Sequence, residues 1–201
     1  MAHDHDHDHD HDHEHEHEHD AEALAEAQAE AVRRHALAQI RQYPDVALRL
    51  AAKELGDDDF DDDFRRLVER MERLMDEAQG IGLAATQVGV LRRVFVFVPD
   101  AEGPRAVVNP RFVERSAETS IEEEGCLSLQ SVRVPVERSV RVTLAGRDVD
   151  GNEVQYELEG MGARVAQHEA DHLDGVLIID RTDEEHRKQA LGALRPQPVL
   201  R

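Results

Sequence analysis

QHEADHLDG, residues 167–175, sets two histidines four positions apart with a glutamate beside the first. On an α-helix that spacing puts His168 and His172 on one face, one turn apart, where both imidazoles reach a single metal ion. Glu169 then stands next to the ion. HExxH reads as a metal-hydrolase signature whose glutamate handles the protons of an attacking water. An ordinary exposed helix face gives the same letters without any chemistry, so the rest of the chain has to decide.

Upstream, EEEGCLSL at residues 122–129 carries Cys126, the single cysteine of the chain. One thiol cannot form an internal disulfide, which fits a reducing compartment and leaves it for packing, for a metal or for chemistry. Beside HExxH it becomes a candidate third ligand. Two imidazoles and a thiolate make the three-ligand site with an open position that metal-assisted hydrolysis needs. GIGLAATQVG, residues 80–89, is a small-residue loop with one long amide, Gln87. Gly and Ala there let a ligand approach the backbone closely. The loop lacks both the GKS or GKT ending of a phosphate loop and the GxGxxG spacing of a dinucleotide fold.

The segments between these motifs define the fold. Phe64, Leu67, Val68, Met71, Leu74, Met75 and Ala78 recur at helical spacing, which predicts one core-packing helix face, begun by Asp57, Asp58 and Asp59 and stopped by Gly80. From Leu91 onward the pattern turns to β: RVFVFV, then residues 106–113, then Val-rich stretches within 132–144. Asp150-Gly151 between residues 140–144 and 154–158 is a hairpin signal. The expected fold class is α+β, with antiparallel β-sheets packed around a central HExxH-bearing helix. EEEGCLSL is expected to lie between strands. With five Phe, two Tyr and no Trp, the core is built mainly from Leu, Val, Ile, Ala and Met.

A length of 201 residues suits one domain. The net charge of −20 argues against a specific nucleic-acid surface, which needs clustered Lys and Arg. No apolar run approaches the ~18 residues of a membrane span, and the N-terminus lacks the basic and apolar regions of a signal peptide, so the expected location is cytoplasmic. Residues 1–20 alternate nine histidines with nine carboxylates; they are expected to be a disordered tail able to bind Zn²⁺, Ni²⁺ or Cu²⁺ weakly. Residues 21–35, rich in Ala and Glu, are expected to form a helical extension. Tyr43-Pro44-Asp45 marks a turn at the start of the domain proper. The metal-dependent domain is assigned to residues 36–182, and 183–201 to a C-terminal helix and tail.

GIGLAATQVG, EGCLS and QHEADHLDG occur in this order, and together they resemble the three signature motifs of the peptide deformylases. The resemblance covers roughly residues 37–182, from IRQYPDVALR onward, and implies the α+β fold given above. It implies hydrolysis of the N-formyl group from the initiator methionine of nascent peptides, with release of formate. Cys126, His168 and His172 match the family's metal ligands, with Fe²⁺ the implied ion and Zn²⁺, Ni²⁺ or Co²⁺ able to replace it. Glu169 matches the residue that moves protons. The Gln87 amide and the Leu127 N–H match the donors that stabilise charge on the carbonyl oxygen. The family holds its peptide as an extended strand against backbone at Ile81, Gly82 and Gly125. Arg133 matches a position that meets the peptide beyond methionine, and Arg164 is expected to make the pocket rim more polar. In some members a C-terminal helix makes a transient ribosome contact, which Arg187 and Lys188 permit. One departure is Leu129-Gln130-Ser131, where the family usually has a proline; it is expected to loosen the loop carrying Cys126 and Leu127.

Two other readings compete. A zinc endopeptidase takes its third ligand downstream, at His186 or Glu184, and leaves Cys126 and Gln87 without roles. A metal-storage protein accounts for the histidine tail but not for a glutamate and an amide around the second site.

Overall fold

The computed structural model describes residues 10–101 and 103–194. Its strands are β1 (Gly82–Ala84), β2 (Val94–Phe97), β3 (Arg105–Arg115), β4 (Thr119–Cys126), β5 (Leu129–Ser139), β6 (Arg141–Arg147) and β7 (Glu153–Glu159). They form a five-stranded sheet in the order β1-β2-β3-β6-β7 and a separate hairpin, β4-β5, with every pair antiparallel. The turn between β6 and β7 is closed by Asp148, whose Oδ1 accepts the N–H groups of Asp150 and Asn152 at 2.9 Å, and Gly151 there takes a φ of 85°.

Four helices complete the fold among the described residues: α1 (Asp10–Leu37), α2 (Asp62–Glu77), α3 (Gly160–Leu173) and α4 (Glu184–Ala193). The apolar face of α2 is as the spacing predicts, with Phe64, Val68, Met71, Leu74 and Met75 buried. Its ends differ in detail. Asp57–Asp59 form a separate 3₁₀ turn, and the cap is Asp61, whose Oδ1 accepts the Phe64 N–H at 2.8 Å. Beyond the helix, Gln79 supplies the left-handed residue, with φ 58°. Gly80 matters for closeness instead, since a Cβ there would lie 2.8 Å from Leu127 Cδ1.

Two expectations about element boundaries are corrected. EEEGC is strand rather than loop: β4 leaves Glu122 and Glu123 exposed and buries Glu124, while β5 brings Val132, Val134 and Val136 into the core. Helix α1 starts at Asp10, inside the stretch expected to be a disordered tail, and continues through 21–35. No Gly or Pro interrupts residues 10–37, so the helix favoured by the Ala- and Glu-rich half propagates into the histidine run at little cost. Residues 1–9 of that run lie outside the described residues, as do residues 195–201 of the C-terminal tail.

Helix α3 is the centre of the fold. It packs against β1, β2 and β7 of the large sheet and against β5 of the hairpin, and nearly all its side chains from Gly162 to Leu173 are buried. Ala84, Phe95, Phe97, Leu144, Ala163, Val165, Ala166 and Leu173 form the layer between α3 and the large sheet. On the other side of that sheet, α2 and the end of α1 pack on Leu83, Val94 and Val96. Removing a core aromatic such as Phe64 or Phe95, both fully buried, costs about 3–5 kcal/mol. No helix among the described residues is long and apolar enough to cross a membrane.

Candidate metal centre and active site

Helix α3 delivers His168 and His172 from one face, and the end of β4 brings Cys126 against them. One ligand atom from each lies within 4.8 Å of the others, and Cys126 Sγ stands 3.2 Å from His172 Nε2. A thiolate and two imidazoles are soft-to-borderline donors, a set that suits Fe²⁺, Zn²⁺, Ni²⁺ or Co²⁺ and not the oxygen-seeking Mg²⁺ or Ca²⁺. His186 and Glu184, the alternative endopeptidase ligands, sit on α4 outside this cluster. The ring of His186 is engaged with Asp183, its Nδ1 2.6 Å from Asp183 Oδ2.

Sequence reading missed the groups that hold the ligands. Glu124, buried two residues before Cys126, reaches His168 Nδ1 with Oε2 at 2.9 Å, which leaves Nε2 for the cluster. The same carboxylate accepts two bonds from Arg138, at 2.9 and 3.0 Å, and one from Arg164 Nη1 at 2.8 Å. Arg138 also donates to Asp171 at 2.6 Å, and Asp171 is clamped by Arg181 through bonds of 3.0 and 2.6 Å. A readable signal existed for Arg138. Val132, Val134, Val136 and Arg138 share the inward face of β5, and a cation continuing an apolar stripe demands a buried anion. Nothing in EEE marks the third glutamate as the buried one.

Charge in the cluster follows from these contacts. Burial alone would raise the Glu124 carboxyl, but its hydrogen bonds from His168 and Arg138 win and hold it at about 2. Burial pushes the Glu169 carboxyl up to about 7. For His168, burial is outweighed by its bonds to Cys126 and Glu124, which carry it well above the ordinary value, whereas burial and the neighbouring His168 charge hold His172 well below it.

Glu169 lies beside the cluster with Oε2 buried and without a hydrogen-bond partner. It fits there because residue 82 is glycine: a Cβ at Gly82 would lie 2.3 Å from Glu169 Oε1. Gln87 is buried, and its amide is oriented at both ends. Oε1 accepts the Ala84 N–H at 2.8 Å, while Nε2 lies 3.1 Å from Ser128 Oγ and 3.7 Å from Cys126 Sγ. The loop carrying Cys126 and Leu127 is pinned and not loosened. Tyr43 N–H donates to Ser128 O and Gln42 Nε2 to Leu127 O, both at 2.9 Å, and Ser131 accepts a φ of 65° where the family proline is missing.

A cleft of about 660 Å³ opens onto these residues, lined by Ile81, Gly82, Gly125, Leu127, His168 and Glu169 among others. Among the described residues, each of β1 and β4 has one edge without a strand partner, and both line the cleft. Arg133, exposed on β5, sits at its rim with a loose pair to Glu123 at 3.6 Å. Arg164 also borders the cleft, but its guanidinium is buried and engaged by Glu124, Val136 O and Ser120, so it is an internal tie between α3 and the hairpin and not the polar rim expected. Helix α1 contributes Arg33 and Leu37 to one wall.

A helix-borne histidine pair, a hairpin thiol and a buried glutamate at the foot of a cleft define a metal-dependent hydrolase on an α+β fold. The family model described as Polypeptide deformylase matches residues 37–188. The chain is 49% identical over 143 residues to the peptide deformylase of Thermotoga neapolitana, covering 71% of this chain and 85% of that one. It is 43% identical over 163 residues to peptide deformylase 1 of Corynebacterium glutamicum, covering 80% and 95%. The crystal structure of peptide deformylase from Thermotoga maritima superposes with a TM-score of 0.68 at 46% identity, over 72% of this chain and 96% of that one. The chain belongs to the polypeptide deformylase family, the hydrolases that remove the N-formyl group from the initiator methionine of new proteins.

Proposed function

We propose that Cys126, His168 and His172 hold a single divalent cation, Fe²⁺ with Zn²⁺, Ni²⁺ or Co²⁺ as substitutes, and that the residues around it carry deformylation as follows. The observation that carries the reading is the closed Cys-His-His cluster with the unpartnered Glu169 oxygen beside it. The cation, when bound, supplies Lewis acidity and makes water a stronger acid.

The formyl-methionyl peptide enters as an extended strand between the open edges of β1 and β4, pairing with backbone at Ile81, Gly82 and Gly125. Arg133 meets it beyond the methionine. Glu169 takes the proton of the attacking water and returns it to the departing amine, work suited to a carboxyl raised by burial toward 7. Negative charge then grows on the formyl oxygen. The Gln87 amide, already held at both ends, and the Leu127 N–H are the donors aimed at it, and losing one costs about 10²- to 10³-fold in rate. The substrates are nascent chains in the cytoplasm, and α4, with Arg187 and Lys188 on an otherwise acidic protein, offers a transient ribosome contact without specific nucleic-acid recognition.

Formate release from formyl-Met-Ala-Ser by anaerobically purified protein tests this, beside Glu169→Ala and Cys126→Ser. Glu169→Ala should lose turnover and keep its metal, while Cys126→Ser should lose both. Turnover that survives in Glu169→Ala sinks the assignment.

A further inference from the structure

We propose that Arg181 and Asp171 are positioning residues of the metal site, which hold His168 in place through Arg138 and Glu124; the proposal rests on the reading of Cys126, His168 and His172 as a metal centre. His168 and Asp171 stand three residues apart on α3 and are neighbours on its surface. Glu124 of β4 meets the first, with Oε2 2.9 Å from Nδ1. Arg138 of β5 meets the second, its Nη1 donating to Oδ2 at 2.6 Å. Between them Arg138 donates to both oxygens of Glu124, at 2.9 and 3.0 Å. The two strands thus bracket one turn of α3, and His168 is one end of the bracket.

Arg181 closes the other end. It follows the 3₁₀ turn Ile178–Asp180, which is anchored by the buried Ile178 and Ile179 and by Asp180, whose Oδ2 accepts the Leu177 N–H at 2.9 Å. From this turn its Nε and Nη2 grip both oxygens of Asp171, at 3.0 and 2.6 Å. Burial deepens along the chain of pairs: the side chain of Arg181 is 47% exposed, that of Asp171 12%, Arg138 6% and Glu124 5%. The sign of the charge alternates at every step.

That alternation makes the outer residue matter to the inner one. Asp171 divides its attraction between Arg181 and Arg138. Without Arg181 it keeps one cationic partner among the described residues, and a buried carboxylate so placed draws Arg138 toward itself and away from Glu124. Glu124 then holds the His168 ring less firmly, and the ligand geometry is less ready for the ion. The sign of the effect separates this from a field effect. Loss of a nearby positive charge raises affinity for a cation, whereas displacement of His168 lowers it. Compensation follows too: neutralising Asp171 together with Arg181 removes one charge of each sign and leaves Arg138 wholly to Glu124.

Co²⁺ affinity of the full chain, read by competition with a chromophoric chelator alongside the Co²⁺–thiolate absorption, tests the proposal. Arg181→Met should bind Co²⁺ about 2- to 30-fold more weakly, the span of coupling through a packed network. Arg181→Lys, which keeps the charge but loses the fork, should fall between the two. Arg181→Met combined with Asp171→Asn should bind more tightly than Arg181→Met alone. Arg93→Met is the control, since it breaks another ion pair at the end of α3, 2.7 Å to Asp174; it should lower the melting temperature and leave affinity at the native value. Affinity in Arg181→Met equal to or above the native one overturns the proposal. So does a double variant no tighter than the single one, or an Arg93→Met chain as weak as Arg181→Met. A native chain that takes up Co²⁺ without a thiolate band fails the metal-centre reading, and the proposal with it.

Discussion

His168 Nδ1 lies 2.9 Å from Glu124 Oε2, and two arginines close on the same carboxylate. The arrangement fixes the ring's orientation and its tautomer, because an ionised Glu124 can only accept, so Nδ1 carries the proton and Nε2 faces Cys126. Glu124→Gln keeps the volume and removes the charge. It should weaken metal affinity about 10- to 100-fold. It also leaves Arg138 and Arg164 buried beside a neutral amide, at a cost of about 3–5 kcal/mol. Competition with a chromophoric chelator and thermal melts read the two effects, and unchanged affinity refutes the orienting role.

The same carboxylate sets a pH dependence of stability. Glu124 titrates near 2 in the fold against an ordinary 4.5, a lowered value that His168 and Arg138 impose against the upward push of burial. The unfolded chain therefore binds the proton first as pH falls. The stabilisation is complete above 4.5, declines as pH drops toward 2 and is absent below it. Melting temperature should fall more steeply between those values in the native chain than in Glu124→Gln, and parallel curves would refute it.

Gly82→Ala is expected to damage catalysis without emptying the site. The added methyl would meet Glu169 Oε1 at 2.3 Å and Val165 Cγ1 at 2.8 Å, so the carboxylate must move by about an ångström, enough for a loss near 10²-fold. Cys126, His168 and His172 are untouched. The variant should therefore show a depressed kcat with a full metal content, and a kcat equal to the native one would show that Glu169 tolerates displacement.

How much of this was legible depended on whether a residue's role is local. HExxH spacing and the α2 stripe are written in neighbouring positions, and both emerge as read. The stacking of α3 between the sheet and the hairpin follows from the order of strands and helices. Glu124, Arg138 and Asp171 meet only because β4, β5 and α3 converge, over separations of 14 and 33 residues along the chain. No local pattern announces that convergence. Arg164 was misplaced for the same reason: its position one turn before His168 is local, but the anion that draws it inward is not. The loop at Leu127 and Ser128 held because Gln42 and Tyr43, far away in sequence, tie it down.

Arg33 tests whether the extension before the family match shapes substrate choice. It lines the cleft from α1, and its pair with Glu30 is long, 3.6 Å, and partly exposed to solvent, so a substrate carboxylate can compete for it at little cost. Arg33→Glu reverses the charge on that wall. Relative to the native chain, it should lower kcat/KM for formyl-Met peptides with an acidic third residue and raise it for those with a basic one. Each change should be about two- to five-fold, the range of an exposed ion pair. The effect belongs in KM, because a contact with the peptide's third side chain is the same in ground and transition states. Peptide series assayed at low and high salt decide it: a preference that persists unscreened at high salt, or one that appears in kcat, would show that the wall acts by shape and not by charge.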